Sequence, residues 1–349
     1  MKGVLKVTFA YLAAVIGAGF ASGSEILVYF VRYGKNSIIG IVVASILFGL
    51  IIYYLLSACV QNKITSFDLL SKTFLDKTTD KFTGVVMIIF MIIMLGAMIS
   101  GFAEMTWSVL GIKRSVSSLL FTIACAFILC MPEEKIIKWG GYAGLFIVAF
   151  ICICSIYMIN FRAVKVFATS IPAVASSFVY TAYNALAVCP VICSAAADIK
   201  TKMECKEVGV LSGIFSFCAL FLIWSLLMIY YGKIELGQLP MITLASRQGV
   251  WLRNIYAVTI IVAVLSSAVA NAYGLCLKFS SLFKSKRNTL LFVLLSGWIV
   301  ASVSFINIVD KLYRYVGIIS IIILINLILK IKKNSDNRNI TKENEENRT

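Results

Sequence analysis

Three glycines interrupt the first long apolar run of the chain within a stretch of seven residues. Glycine has no Cβ atom and lets the backbone leave helical geometry, and inside a membrane each backbone group that loses its helical partner must find another one. Freed carbonyl oxygens around Ala14, Val15 and Gly17 are ligands for a cation. Freed N–H groups where the helix restarts are donors for an anionic carboxylate. The stretch therefore predicts a binding site for a small zwitterion and a co-ion. It consists of Gly17, Ala18, Gly19, Phe20, Ala21, Ser22 and Gly23.

The residues after the glycines favour a restart of the helix at this point. Ser22 and Ser24 are residues that often cap a helix N-terminus. Glu25 lies in the first turn, and an ionisable residue within a membrane span is by default a functional candidate. Its alternative role is structural, as a carboxylate bonded to freed backbone amides or to a neighbouring span. The four-residue spacing of Gly19 and Gly23 also fits close packing of two helices, so a packing motif is the alternative to a break.

A second irregularity lies in the sixth apolar run. Pro190 cannot donate a backbone hydrogen bond to Leu186, which predicts a break between about Tyr183 and Leu186. Tyr180, Tyr183 and Asn184 would then supply aromatic walls and hydrogen bonds near the middle of the membrane. The alternative is aromatic packing with a plain proline kink. Because five spans follow the first break before the sixth span begins, the two spans have opposite orientation, and such a pair is typical of a secondary-transporter site.

Membrane-spanning helices must position these residues. The chain has 349 residues, of which 60% are hydrophobic and 14% charged, and its mean hydropathy is +0.95. Apolar runs long enough to cross a bilayer recur from end to end, and they lack the alternation of barrel strands. The sequence predicts an all-α polytopic membrane protein with one transmembrane domain (1–331) and a disordered cytoplasmic tail (332–349). Its ten predicted transmembrane helices are Val4–Val31, Ser37–Val60, Phe82–Leu110, Ser115–Met131, Trp139–Asn160, Ala168–Ala197, Glu207–Tyr231, Val250–Phe279, Thr289–Ile308 and Leu312–Ile331.

Charge and composition exclude several classes of function. The net charge is +16, but the basic residues are scattered over short loops, which is typical of contact with the lipid bilayer and not of nucleic-acid binding. Basic residues are more numerous on the side of the termini, which predicts cytoplasmic termini. The ten cysteines lie mostly in apolar runs and the chain has no histidine. We therefore predict neither an enzyme nor a resident cofactor, and expect the partners to be a small-molecule substrate and lipid.

The glycine motif is similar to one found in a known family. The segment from Ile16 to Ile26 resembles the opening motif of the YkvI-type bacterial membrane proteins, amino-acid permeases in the amino acid–polyamine–organocation superfamily. The Tyr183–Asn184 pair and the ten-span layout extend the resemblance over essentially the whole chain. Family members typically have glutamine where Ser24 stands. The resemblance implies a LeuT-type fold with a five-plus-five inverted repeat and discontinuous helices 1 and 6.

The same resemblance implies where the two halves and a cation lie. The halves are about residues 4–160 and 168–331. In sodium-coupled members of this fold, a cation lies between backbone carbonyls of the first span and a hydroxyl pair of the eighth, and Ser266 and Ser267 have the appropriate depth. The alternative for these serines is small-residue packing, with hydroxyls bonded to the preceding turn. The fifth predicted span contains no lysine that could replace the cation, which favours sodium over protons. The implied Na+ ligands are Ala14, Val15, Gly17, Ser266 and Ser267.

Two functions fit these observations. The first is a secondary transporter of a small zwitterion, a neutral amino acid, working by alternating access in the bacterial plasma membrane with Na+ as the co-transported ion. The second is an amino-acid-sensing receptor on a transporter scaffold, similar to germinant receptor subunits. Glu104, beside Trp107 in the third span, is the other intramembrane acid. It is predicted to face a vestibule or, preferably, the membrane interface.

Overall fold

The computed structural model describes residues 2–131, 150–151, 153–158, 171–280, 283 and 285–346. In this part of the chain the secondary structure is helical, with short turns between the helices. Helices suit a bilayer because each backbone N–H and C=O group is bonded within its own segment. We number the α-helices in chain order and leave the shorter helical turns unnumbered. They are α1 Lys2–Val15, α2 Ala18–Ser22, α3 Ser24–Tyr29, α4 Ile38–Asn62, α5 Phe67–Phe74, α6 Lys77–Leu110, α7 Arg114–Leu129, α8 Ile171–Ala195, α9 Lys202–Tyr230, α10 Pro240–Gln248, α11 Val250–Phe279, α12 Lys286–Val300 and α13 Tyr313–Glu346.

The helices coincide with the predicted spans. Within the described residues, six helices are long and apolar enough to cross a membrane, and the shorter helices α1 and α7 are apolar too. Each predicted span except the fifth corresponds to one described helix or to two or three consecutive helical segments. The fifth predicted span, Trp139–Asn160, lies mostly outside the described residues. The preference for sodium over protons, which rests on the lack of lysine in this span, is therefore not tested by the structure. The all-α polytopic architecture is confirmed.

The first span is broken, as the glycines predicted. It consists of α1, the five-residue helix α2 and α3. Gly17 separates the first two with an extended backbone, and Gly23 separates the last two in the left-handed region with a φ of 78°. Glycine adopts that region without the steric cost that a Cβ atom brings. The close-packing alternative is therefore not needed to explain Gly23.

The predicted break in the sixth span is wrong, because one continuous helix forms this span. Helix α8 runs from Ile171 to Ala195 with Pro190 inside it. Proline removes one backbone donor, and a membrane helix tolerates this loss where neighbouring helices enclose it. The side chain of Asn184 donates from Nδ2 to the carbonyl oxygen of Tyr180 at 3.1 Å, which is a bond within the helix and not across a gap.

The polar C-terminal segment also differs from its prediction. Residues 332–349 were expected to be disordered, yet α13 continues to Glu346. Extending an existing helix costs much less free energy than nucleating a new one, and α13 is already formed by the tenth span. The division into repeats 4–160 and 168–331 stays a prediction.

Helices α4 and α9 pack with their backbones in close contact. A Cβ atom added to Gly49 would lie 2.9 Å from the carbonyl oxygen of Gly209, and one added to Gly209 would lie 2.8 Å from the carbonyl oxygen of Gly49. One added to Gly213 would lie 3.0 Å from the carbonyl oxygen of Ser45. In lipid, such small residues allow helices to associate through close van der Waals contact. Helix α4 also contacts α8, which fixes the scaffold beside the broken first span.

Candidate functional site

The short helix α2 is held in place from two sides. The hydroxyl of Tyr256, on α11, donates to the carbonyl oxygen of Ala21 at 2.8 Å. On the other side, Gly23 lies against α10, where an added Cβ atom would be 2.9 Å from the side chain of Met241. The hydroxyl of Ser24 donates to the carbonyl oxygen of Gln238 at 2.5 Å. The break is thus bonded to α11 on one side and contacts α10 and the residues before it on the other.

The serines of the motif do not cap the restarted helices as predicted. The N-cap residues of α2 and α3 are Gly17 and Gly23, and neither helix has a side-chain cap. The hydroxyl of Ser22 instead donates to the carbonyl oxygen of Gly19 at 3.1 Å and lies 2.8 Å from the hydroxyl of Ser24. The left-handed turn at Gly23 explains this, because it folds the two serine side chains against each other.

Glu25 is the charged residue of the site. It is only 5% exposed, and its carboxyl group lies directly against Gly19, where an added Cβ atom would collide with it. The carboxyl group also lies beside the side chains of Tyr183 and Asn184. Even so, Oε2 of Glu25 and the hydroxyl of Tyr183 have no hydrogen-bond partner of ordinary geometry among the described residues. The structure therefore brings the first-span motif and the sixth-span residues into one place.

Four tyrosines form a cluster beside this carboxyl group. The ring centroid of Tyr183 lies 5.5 Å from that of Tyr29, 5.6 Å from that of Tyr180 and 5.1 Å from that of Tyr313. The sequence singled out Tyr180 and Tyr183 but missed Tyr29 and Tyr313. A cavity of about 10 Å³ lies next to the cluster and is lined in part by Phe20 and Tyr180. Such a volume holds about one water molecule, so this cavity is too small for an organic substrate.

The residues proposed as Na+ ligands are only partly brought together. A Cβ atom added to Gly17 would lie 3.8 Å from the hydroxyl of Ser267, so α11 faces the end of the first half-span. The hydroxyl of Ser266 donates to the carbonyl oxygen of Ala263 at 3.0 Å, in agreement with its packing alternative. The carbonyl oxygen of Val15 already accepts a bond from the N–H group of Gly17 at 2.9 Å. A carbonyl oxygen has a second lone pair, so this bond does not prevent coordination.

Glu104 lies elsewhere. Its carboxyl group pairs with the guanidinium group of Arg114, with Nε–Oε2 and Nη2–Oε1 distances of 2.6 and 3.1 Å. The guanidinium group also lies over the ring of Trp107, 4.9 Å from its centroid. This two-bond ion pair connects the last turns of α6 to the start of α7.

Ion pairs lie near both ends of the broken span. Beyond α3, Asp310 binds Arg32 at 2.7 Å and Arg314 at 2.8 Å. On α1, Lys6 binds Asp198, which follows α8, at 2.9 Å. Ion pairs thus connect one end of the first span to the residues at the start of the tenth span, and the other end to the residues that follow the sixth span.

A LeuT-type fold with an interrupted first span is the architecture that these helices form. The chain is similar to a structure of a Na+-coupled sialic acid symporter, with a TM-score of 0.62 and 16% identity, covering 94% of this chain and 78% of that one. It is also similar to an inward-facing structure of Mhp1, a nucleobase-cation-symport-1 family transporter, with a TM-score of 0.65 and 10% identity, covering 90% and 72%.

A relative of comparable length comes from Bacillus subtilis (strain 168). It is the uncharacterised membrane protein YkvI, which is 23% identical over 342 residues, covering 93% of this chain and 95% of that protein. No family model matches the chain. These similarities establish the fold and agree with the resemblance of the glycine motif. The names of these proteins describe membrane proteins and transporters, and none describes an enzyme.

Proposed function

We propose that this protein is a secondary transporter that moves a small zwitterionic substrate, a neutral amino acid, across the bacterial plasma membrane by alternating access. One observation carries the proposal: the first span is broken into three helices, and the break faces a buried carboxyl group and polar residues of the sixth span. Interrupted helices at the middle of an inverted-repeat fold are where such transporters bind substrate and coupling ion.

The substrate site is formed by the segment from Gly17 to Gly23 together with Tyr180, Tyr183 and Asn184. Backbone groups of the segment supply hydrogen bonds, and the tyrosine rings supply apolar walls. No covalent chemistry is required of any of these residues. The ring centroids of Tyr29 and Tyr180 lie 5.7 Å apart and those of Tyr180 and Tyr183 lie 5.6 Å apart, so we expect the substrate to enter after α3 and α8 separate.

We further propose that Na+ is the coupling ion. The contact between Gly17 and Ser267 supports this proposal, because it places a hydroxyl oxygen next to the backbone where α1 ends. Carbonyl and hydroxyl oxygens are suitable ligands for a hard cation. Within the described residues, no group of three or more His, Cys, Asp and Glu side chains is placed to hold a metal ion, so a site for a divalent transition metal is not favoured.

Alternating access requires the two ends to open in turn. One ion pair lies at each end of the broken span: Lys6 with Asp198, and Arg32 with Asp310. Both pairs are partly exposed, so breaking them costs little free energy. With cytoplasmic termini, the Lys6–Asp198 pair closes the cytoplasmic side and Asp310 closes the outer side.

Uptake into proteoliposomes tests the proposal. The purified full chain is reconstituted and each common amino acid is offered in labelled form, with an inward Na+ gradient and with K+ replacing Na+. We expect accumulation of at least one neutral amino acid, and more of it with the Na+ gradient. Accumulation equal to that of protein-free liposomes for every compound contradicts the proposal. Thermal stabilisation by an amino acid without any uptake would instead support a sensing receptor.

A further inference from the structure

Among the described residues, the carboxyl group of Glu25 has no positively charged partner. Ion pairs in the described part of the chain involve Asp68, Asp76, Glu104, Asp198 and Asp310, but not Glu25. It is nevertheless only 5% exposed, and its Oε2 atom has no hydrogen-bond partner of ordinary geometry in the described part of the chain. A buried carboxylate without a counter-charge is costly, and its cost falls when a cation binds beside it.

The surroundings of Glu25 are those of a binding site for an organic cation. The carboxyl group lies beside Tyr183, whose ring packs against those of Tyr29, Tyr180 and Tyr313. The faces of aromatic rings attract cations, and cages of such rings are a recurring way to hold ammonium groups. The hydroxyl of Tyr180 is also buried without a hydrogen-bond partner in the described residues, so it is able to accept a bond from an ammonium group, and the hydroxyl of Tyr183 lies beside the carboxyl group of Glu25.

We propose that Glu25 and this tyrosine cluster bind the ammonium group of the substrate. The proposal rests on the proposed transport function and deepens it, because it assigns the substrate charge that the protein recognises. It predicts that a compound must carry an amine but need not carry a carboxylate. Simple amines derived from the amino-acid substrate should therefore compete for the site.

The other charged groups that the structure describes near the cluster do not neutralise Glu25. Arg314 lies over the ring of Tyr29, 5.5 Å from its centroid, but its guanidinium group is bound to Asp310 at 2.8 Å. Asn184 lies beside the carboxyl group and is neutral, and its amide is oriented by the bond to the carbonyl oxygen of Tyr180. The positive charge is therefore left for the ligand to supply.

An ammonium group fits the cluster better than Na+ does. A sodium ion requires several oxygen ligands, whereas aromatic faces make up most of this wall. Gly17 and Ser267, the residues proposed for Na+, lie where α1 ends, and Glu25 lies on α3 beyond the short helix α2. The two charges of substrate and co-ion thus have separate positions on the broken span.

The test compares matched compounds on the purified full chain. Each common neutral amino acid is tested beside its decarboxylated amine and its deaminated acid, and thermal stabilisation gives the affinity. We expect the amino acid and the amine to stabilise the protein and the acid to have no effect. In Glu25→Gln, which keeps the shape but loses the charge, affinity for the amine should fall by about tenfold or more. Glu25→Asp should retain part of it, and the exposed Glu207→Gln serves as a matched control with unchanged affinity.

The outcomes separate this proposal from the proposed function. If Glu25→Gln binds amino acid and amine as tightly as wild type, the ammonium assignment is overturned while transport stands. If Glu25→Gln keeps its preference for amines but loses a pH dependence of uptake, the carboxyl group carries a proton instead, and the assignment is again overturned. If no amino acid or amine stabilises the wild-type protein, both proposals fail. Circular dichroism shows whether each variant has folded.

Discussion

Adding one methyl group at Gly19 should damage the site while leaving the fold intact. In Gly19→Ala the new Cβ atom would lie 2.7 Å from both Cγ and Cδ of Glu25, which is shorter than real contacts allow. Overpacking of this kind costs about 1–3 kcal/mol. The carboxyl group is the end of a flexible side chain, so the strain is relieved most easily by moving it away from Tyr183 and Asn184. Because about 1.4 kcal/mol corresponds to a tenfold change in affinity, we expect the substrate Kd to rise about 5-fold to 150-fold.

The assay is equilibrium binding of the labelled substrate to the purified protein. Gly84→Ala is the matched control, since nothing lies within 4 Å of a Cβ atom added at Gly84 on α6. Its Kd should equal that of wild type. The double variant Gly19→Ala with Glu25→Ala should bind no worse than Glu25→Ala alone, because the two changes act through one contact. Wild-type affinity in Gly19→Ala, or a fully additive double variant, would refute the reasoning.

Four further substitutions test other parts of the structure. Gly49→Ala and Gly209→Ala each push a Cβ atom against an opposing carbonyl oxygen, so each should lower the free energy of unfolding by about 1–3 kcal/mol. Tryptophan fluorescence should show this as a lower Tm, and an unchanged Tm would contradict the close packing. Glu104→Gln should leave the substrate Kd within about twofold of the wild-type value, since Glu104 pairs with Arg114 away from the site. A larger loss of affinity would indicate that Glu104 belongs to the substrate site. The ion pair with Lys330 holds the pKa of Asp76 below its ordinary value, so Asp76 stabilises the fold at neutral pH and less as pH falls. The Tm difference between wild type and Asp76→Asn should therefore shrink on acidification, and a constant difference would exclude this contribution.

The spans and the first break were predictable because they depend on local properties of the sequence. Apolar length determines which segments cross the bilayer, and three closely spaced glycines suffice to interrupt a helix. The sixth-span break was mispredicted because Pro190 removes a single donor, and sequence alone does not show whether neighbouring helices support the resulting gap. The serine caps failed because Gly23 takes a left-handed turn that redirects Ser22 and Ser24.

The site was only half predictable for a different reason. Glu25 was recognisable as a rare acid within a span, and Tyr29 could have been found four residues later on the same face of a helix. Tyr313 comes from the other end of the chain, and the hydroxyl of Tyr256 reaches Ala21 across 235 residues. Such contacts depend on how helices pack, and no local pattern in the sequence marks them.

Counterflow in proteoliposomes tests the central claim most directly. Vesicles containing the wild-type protein are loaded with an excess of unlabelled amino acid and diluted into a trace of the labelled compound without any ion gradient. If the broken first span is a site that opens alternately to the two sides, label accumulates transiently inside. Gly84→Ala should behave as wild type, and Gly19→Ala should accumulate less. Binding of the amino acid without transient accumulation in wild-type vesicles would contradict alternating access.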